Sequence, residues 1–304
     1  MRKVTHQSGT VVSKGASAQQ AMIEGGLDWQ VSKRPISYPD GRGEILNLRG
    51  QKVLVRNDTS GALAVVSNRY EPFQNSELFG FLSPMVESGQ IEIEAVGATK
   101  EGGIVWASSK ILSGFRAEVG AGDEIEGNLL SVISHDKSHA LSHSLMINRM
   151  FCSNAISYQL RRGSSAFRIR HSQGMREELA IASEIMQNMS STWKDAVATF
   201  NLLRSKKVDF NRFVKELVPD APKGVNNTRR ENKRRELLDT YILAPGQAQA
   251  ELGTAWAALN AVTHYADHTM GSNGSKEALA HSRLFGRGDT LKETALGMLT
   301  GKLS

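Results

Sequence analysis

Six arginines stand between Arg149 and Arg176, at 149, 161, 162, 168, 170 and 176, with His171 among them and neither a lysine nor an acid. Arginine's planar fork makes two-point contacts to phosphate oxygens and stacks on bases, so this run suits a polyanion. Arg168 and Arg170 alternate with Phe167 and Ile169, which puts the charges on one face of a short extended segment. Phe167 is then either a core residue or a stacking platform for a base. Arg229, Arg230, Lys233, Arg234 and Arg235 form a second cluster with Glu231 as its one counter-charge. On a helix, 230, 233 and 234 share a ridge. Arg204, Lys206 and Lys207 close a long helical stretch, where cations offset the helix dipole and need no ligand. The candidate DNA-binding residues are therefore Arg149, Arg161, Arg162, Arg168, Arg170, His171, Arg229, Arg230, Lys233 and Arg234. Each phosphate so neutralised would add roughly −0.7 to the salt slope of single-strand binding.

The charge of the whole chain agrees with this focus. Residues 1–148 carry 14 Lys and Arg against 16 Asp and Glu, residues 149–235 carry 18 against 8, and residues 236–304 carry 5 against 7. All the excess positive charge lies in the central block, as expected for a nucleic-acid partner; the competing reading is a solvated helical surface. The 304 residues are 40% hydrophobic and 22% charged, an ordinary globular composition. No apolar run approaches a membrane span, and the opening residues MRKVTHQSGT lack the apolar core of a secretory signal. A single cysteine, Cys152, excludes an internal disulfide and a cysteine-rich zinc site. The expected location is the reducing cytoplasm.

Other chemistries find less support. There is no phosphate loop, GxGxxG, HExxH, CxxC or GxSxG pattern, and the Gly271–Lys276 run lacks the strand and spacing of a phosphate cradle. His135, His139 and His143 are four apart, but a hairpin turn falls between the first two. His264, Asp267 and His268 share one face of a predicted helix without a second ligand-bearing helix. Packing is the favoured role for both sets, and Cys152 reads as a small buried side chain. No catalytic residue, metal or cofactor is assigned.

These residues need elements to hold them. Residues 44–56 and 62–67 flank the turn Asn57–Gly61 and predict a hairpin. A helix over 76–88 is expected to kink or break at Pro84. Strands follow at 91–96, 104–107, 124–134 and 139–147, then a helix at 153–162 capped by Ser153 or Asn154. A long amphipathic helix covers 176–206, and shorter ones 209–217, 227–243, 249–270 and 289–300. The fold class is α+β: an antiparallel β-sheet core flanked by helices, in the order β-β-α-β-β-β-β-α, followed by an α-helical C-terminal region. Residues 1–25 read as a flexible N-terminal arm, 26–172 as an α/β core domain and 173–304 as a helical region.

RYEPFQN (69–75), VWA (105–107), GDEI (122–125), SHDKSHA (134–140), CSN (152–154), FRIRHS (167–172) and TAWAALNAVTHYADH (254–268) occur in that order. Together they resemble the phage/plasmid-like family carrying domain of unknown function 932, over about residues 27–300. Lys137 departs from the glycine expected at the hairpin turn. The resemblance implies a bacteriophage or plasmid setting and brings no catalytic residues. The element order is also similar to the RecT and Red-beta superfamily of single-strand annealing proteins. That likeness is at fold level only and implies a ring or filament holding single-stranded DNA in a basic groove. The expected function is single-stranded DNA binding and strand annealing by a homo-oligomer without nucleotide. A phage exonuclease or a single-strand-binding protein would be its partner, and a membrane would not. The alternatives are a metal-dependent nucleic-acid-processing enzyme, with His264, Asp267, His268 and His135 as suspects, and a protein-binding anti-defence module.

Overall fold

In the 124–134 segment, Ile125, Leu129 and Ile133 belong to one apolar cluster, and Leu130 and Val132 to another. Successive strand side chains point to opposite faces, so this strand must be covered on both sides. A computed structural model describes residues 3–120, 122–139, 141–150, 154–159, 175–271 and 274–301 and shows that arrangement. The chain forms α1 (Val4–Ser8), β1 (Thr10–Val11), α2 (Ala18–Glu24), β2 (Val31–Pro39), β3 (Ile45–Arg56), β4 (Ala62–Ser67) and α3 (Asn75–Glu87). Then come β5 (Ile91–Thr99), β6 (Ile104–Ile111), β7 (Arg116–Glu118), β8 (Glu124–Ser134), β9 (Ser142–Arg149) and β10 (Ala155–Gln159). The remainder is helical: α4 (Met175–Ser205), α5 (Phe210–Leu217), α6 (Thr228–Leu243), α7 (Gln247–Ala250), α8 (Ala255–His264), α9 (Lys276–Phe285) and α10 (Arg287–Thr300). Helix α8 runs on into a π-helical turn at Tyr265–Thr269.

The main antiparallel sheet has the order β1-β5-β6-β8-β9-β10, with β7 also paired to β8. Helices α2, α3 and α4 pack on one face, and α1 and α9 on the other. The fold is thus α+β, with strands in the N-terminal half and helices in the C-terminal region. A second sheet, β2-β3-β4, stands beside it. Strand β4 pairs β3 only from Gln51 to Val55. Beyond that point β2 and β3 continue as a two-stranded ribbon, in which Tyr38 opposes Leu46 and Pro39 opposes Ile45.

Several expectations are corrected. Residues 3–25 do not hang free: Val4 and Ala21 are fully buried, and β1 pairs with β5. Residues 155–159 are a strand where a helix was expected. The N–H of Ala155 donates to Asp267 at 2.9 Å, and its carbonyl accepts from the Lys292 ammonium at 2.9 Å. Both partners lie more than a hundred residues downstream, so local propensity carries no trace of them. Helix α3 continues through Pro84, because the residue four before it is Gly80, exposed to solvent, whose carbonyl can bind water instead. Helix α9 and strand β2 were not foreseen, and the expected 249–270 helix is divided into α7 and α8. Among the described residues one apolar cluster runs from Val12 to Leu299, so the sheet and the helical region share a core. At the 136–138 turn Lys137 adopts φ 64°, the conformation that the expected glycine would take without cost. Its Nζ donates to the Val65 carbonyl at 2.7 Å.

Lys292 is 1% exposed, and its ammonium has three acceptors: Asp267 at 3.0 Å, Ala155 O at 2.9 Å and Arg283 O at 2.9 Å. Removing one partner of a buried pair strands the other charge. Urea unfolding of Lys292→Met should show a loss of about 3–5 kcal/mol. The double variant Asp267→Asn/Lys292→Met should recover part of it, because no uncompensated buried charge remains.

Candidate nucleic-acid interface

The cations singled out by sequence meet different fates. Arg161, Arg162, Arg168, Arg170 and His171 lie outside the described residues, as do Phe167 and Cys152. Arg149 is corrected from a phosphate ligand to an internal one. It is 3% exposed, its Nε donates to Asp123 at 2.6 Å, and a second nitrogen donates to the Gly246 carbonyl. Arg234 is corrected likewise. Its Nε donates to Val218 O at 2.8 Å and its guanidinium pairs with Asp220 at 2.8 Å, tying α6 to the end of α5. Arg204 and Lys206 are bound to the carbonyls of Val119 and Leu299.

Arg229, Arg230 and Lys233 do converge. A groove of about 1370 Å³ opens between α6 on one wall and α9 and α10 on the other. On α6, residues 229, 232, 233 and 236 recur at helical spacing and face it, while Leu237 and Thr240 turn to the core. On α10, Arg287, Thr290, Leu291 and Thr294 do the same. Arg287 lies outside the basic block, in a C-terminal segment of net negative charge; only the fold sets it opposite the α6 cluster. None of Arg229, Arg230, Lys233 and Arg287 is ion-paired among the described residues. The Lys233 ammonium is pushed below its ordinary value by burial, then by Arg287 and Arg229. Glu236 is the one acid among the described lining residues, and its carboxylate accepts the Tyr265 hydroxyl at 3.0 Å. Gly271 and Gly274 of the glycine-rich run also line the groove, next to the α9 N-terminus that Ser275 caps. The arrangement concentrates positive charge in a concave, partly buried site, which strengthens attraction for an anion.

The histidines do not gather. His135 is buried, its Nε2 bonded to Asn75 Oδ1 at 2.9 Å and its ring set edge-on to Trp29. His143 bonds Ser131 Oγ at 2.9 Å and lies against Phe81. The rings of His264 and His268 are 4.6 Å apart, but the Asp267 carboxylate points away to Lys292 and Ala155. Among the described residues no three His, Cys, Asp or Glu side chains come together around a space for a metal ion.

Burial holds the His135 imidazole down at about 4, with the Asp136 charge opposing and Arg56 assisting. Unfolded histidine titrates near 6.5. Between these values the unfolded chain binds more protons than the folded one, so stability falls as pH drops from about 6.5 to about 4. For this one side chain the loss amounts to about 3 kcal/mol at most. Thermal midpoints at pH 7 and pH 4.5 should therefore differ less in His135→Gln than in the parent chain. Part of the difference should remain, because His143 and His264 are also held near 4 by burial.

A family model for the domain of unknown function DUF932 matches residues 62–285, which take in β4, the main sheet apart from β1, and the helices from α3 through α9. Arg287 lies just beyond the match, and the β2–β3 ribbon precedes it. No curated protein and no solved structure matches the chain. With nearly three quarters of its length under that match, the chain belongs to the DUF932 family.

Proposed function

We propose that this protein binds single-stranded nucleic acid, DNA in preference, and anneals complementary strands as a homo-oligomer without nucleotide or catalytic residue. The observation that carries the proposal is the groove: Arg229, Lys233 and Arg287 reach it from two walls with no ion pair among the described residues. Nothing in the described fold resembles a helix-turn-helix or zinc finger, so binding is directed at the backbone rather than at base sequence. The setting is the cytoplasm of a bacterial host carrying a phage or plasmid, with an exonuclease or single-strand-binding protein as partner. No helix among the described residues is long and apolar enough to cross a membrane.

Support for the oligomer comes from the ribbon. Tyr38, Ile45, Leu46 and Leu48 are all exposed there, and a two-stranded ribbon with uncovered apolar side chains is marginal in water. A second copy of the chain is the occupant we assign. Light scattering of Tyr38→Ser/Leu46→Ser should show monomers where the parent chain forms larger species.

Binding is tested by fluorescence anisotropy of a labelled single strand over a salt series. Arg229→Ala/Lys233→Ala/Arg287→Ala should bind more weakly at low salt, with a log–log slope flatter by about 2, three phosphate contacts having been removed. Arg212→Ala, on the exposed outer face of α5, should leave the slope unchanged. Parent chain that does not bind single strands at low salt, or binds them with the slope of the triple variant, would end this reading.

A further inference from the structure

The groove is graded in chemistry from rim to floor. Arg229 and Arg287 are exposed at its lip, and Lys233 is half-buried below them. Beneath the cations the lining turns apolar: Met270 and Leu279 are half-buried, and Tyr265 and Leu291 are buried. Ser282, half-buried, and Thr290 and Asn232, exposed, add hydroxyl and amide groups to the lining. A surface that read only phosphates would need no such floor. Phosphates pressed against it would lose hydration without gaining a partner, whereas a base there gains apolar and stacking contact worth about 1–3 kcal/mol. The volume of about 1370 Å³ exceeds the roughly 300–1,000 Å³ of pockets that hold one small ligand, so it accommodates more than a single nucleotide.

Resting on the single-strand reading above, we infer that a strand lies in this groove with its bases turned inward onto Met270, Leu279 and Tyr265. Its phosphates lie against Arg229 and Arg287 at the lip and within reach of Lys233 below them. Two consequences follow from this polarity. A duplex is disfavoured, because its paired bases cannot reach the floor and only its phosphates meet the lip. The nucleotides inside one groove are withheld from pairing, so annealing takes place on the stretches that cross from one subunit to the next.

The test is permanganate oxidation of an oligothymidylate, which attacks unstacked, accessible thymine, with the full-length protein at saturating concentration in low salt. Bound thymines should be protected in a periodic pattern, shielded where they enter a groove and reactive between grooves. Met270→Asn/Leu279→Asn, checked for an unchanged circular dichroism spectrum and melting temperature, should retain the parent's salt slope. It should also lose the protection and about tenfold of its preference for single strands over duplex. Uniformly reactive thymines on a strand still held through Arg229, Lys233 and Arg287 would overturn the inward orientation while leaving the single-strand reading intact. Protection that persists in a correctly folded floor variant would overturn it as well. Failure of the parent chain to bind the oligonucleotide would remove both readings together.

Discussion

The carboxylate of Asp123 is the most deeply buried of the polar ties between the sheet and the helices that follow it. It is fully buried, accepts from Arg149 Nε at 2.6 Å and from the Trp256 indole N–H at 2.7 Å, and so links β9 and the turn before β8 to α8. A charge without solvent must find its partners in one geometry or cost several kcal/mol. Two further ties repeat the pattern. Asn154 donates to Asn260 O and Thr263 Oγ1, and Asp267 and Lys292 together clasp both backbone groups of Ala155. Through them the sheet fixes α8, its π-helical turn and α10, and with these one wall and the floor of the groove.

The family motifs take on a physical meaning from these contacts. Asp123 belongs to GDEI, Asn154 to CSN, and Trp256, Asn260, Thr263 and Asp267 to TAWAALNAVTHYADH. Gln74 of RYEPFQN bonds both backbone groups of Val31 at the start of β2, and Asn75 holds the Leu27 and Trp29 carbonyls before it and also bonds His135 of SHDKSHA. Most of the recognisable sequence pattern thus encodes how sheet and helices join. The groove cations sit elsewhere, on the outer face of α6 and the first turn of α10. Among the described residues, then, these motifs report a scaffold.

The same distinction explains the fate of the arginines. Arg149 and Arg230 look alike in sequence, each a cation in a basic block. Arg149 follows the buried run of β9 and meets Asp123 and Trp256, so its charge is spent internally. Arg229, Arg230 and Lys233 lie on a helix whose apolar face is short, and they meet no acid across the groove among the described residues. Burial, and after it the charges of Arg287 and Arg229, leaves Lys233 with a weaker hold on its proton, a penalty that a bound polyanion would reverse.

The sequence by itself determined the alternation of the strands, the long α4 helix, the 57–61 hairpin and the concentration of positive charge after residue 148. Each is a local property, written in the periodicity of side chains a few residues apart. Tertiary structure alone decided that 155–159 is a strand, that residues 3–25 belong to the core, that Arg149 and Arg234 are internal ties, and that Arg287 completes a groove. All of these turn on partners that are remote in the chain. A carboxylate at 123 or 267 shows its meaning only when folding removes the water and leaves it one place to find a hydrogen bond.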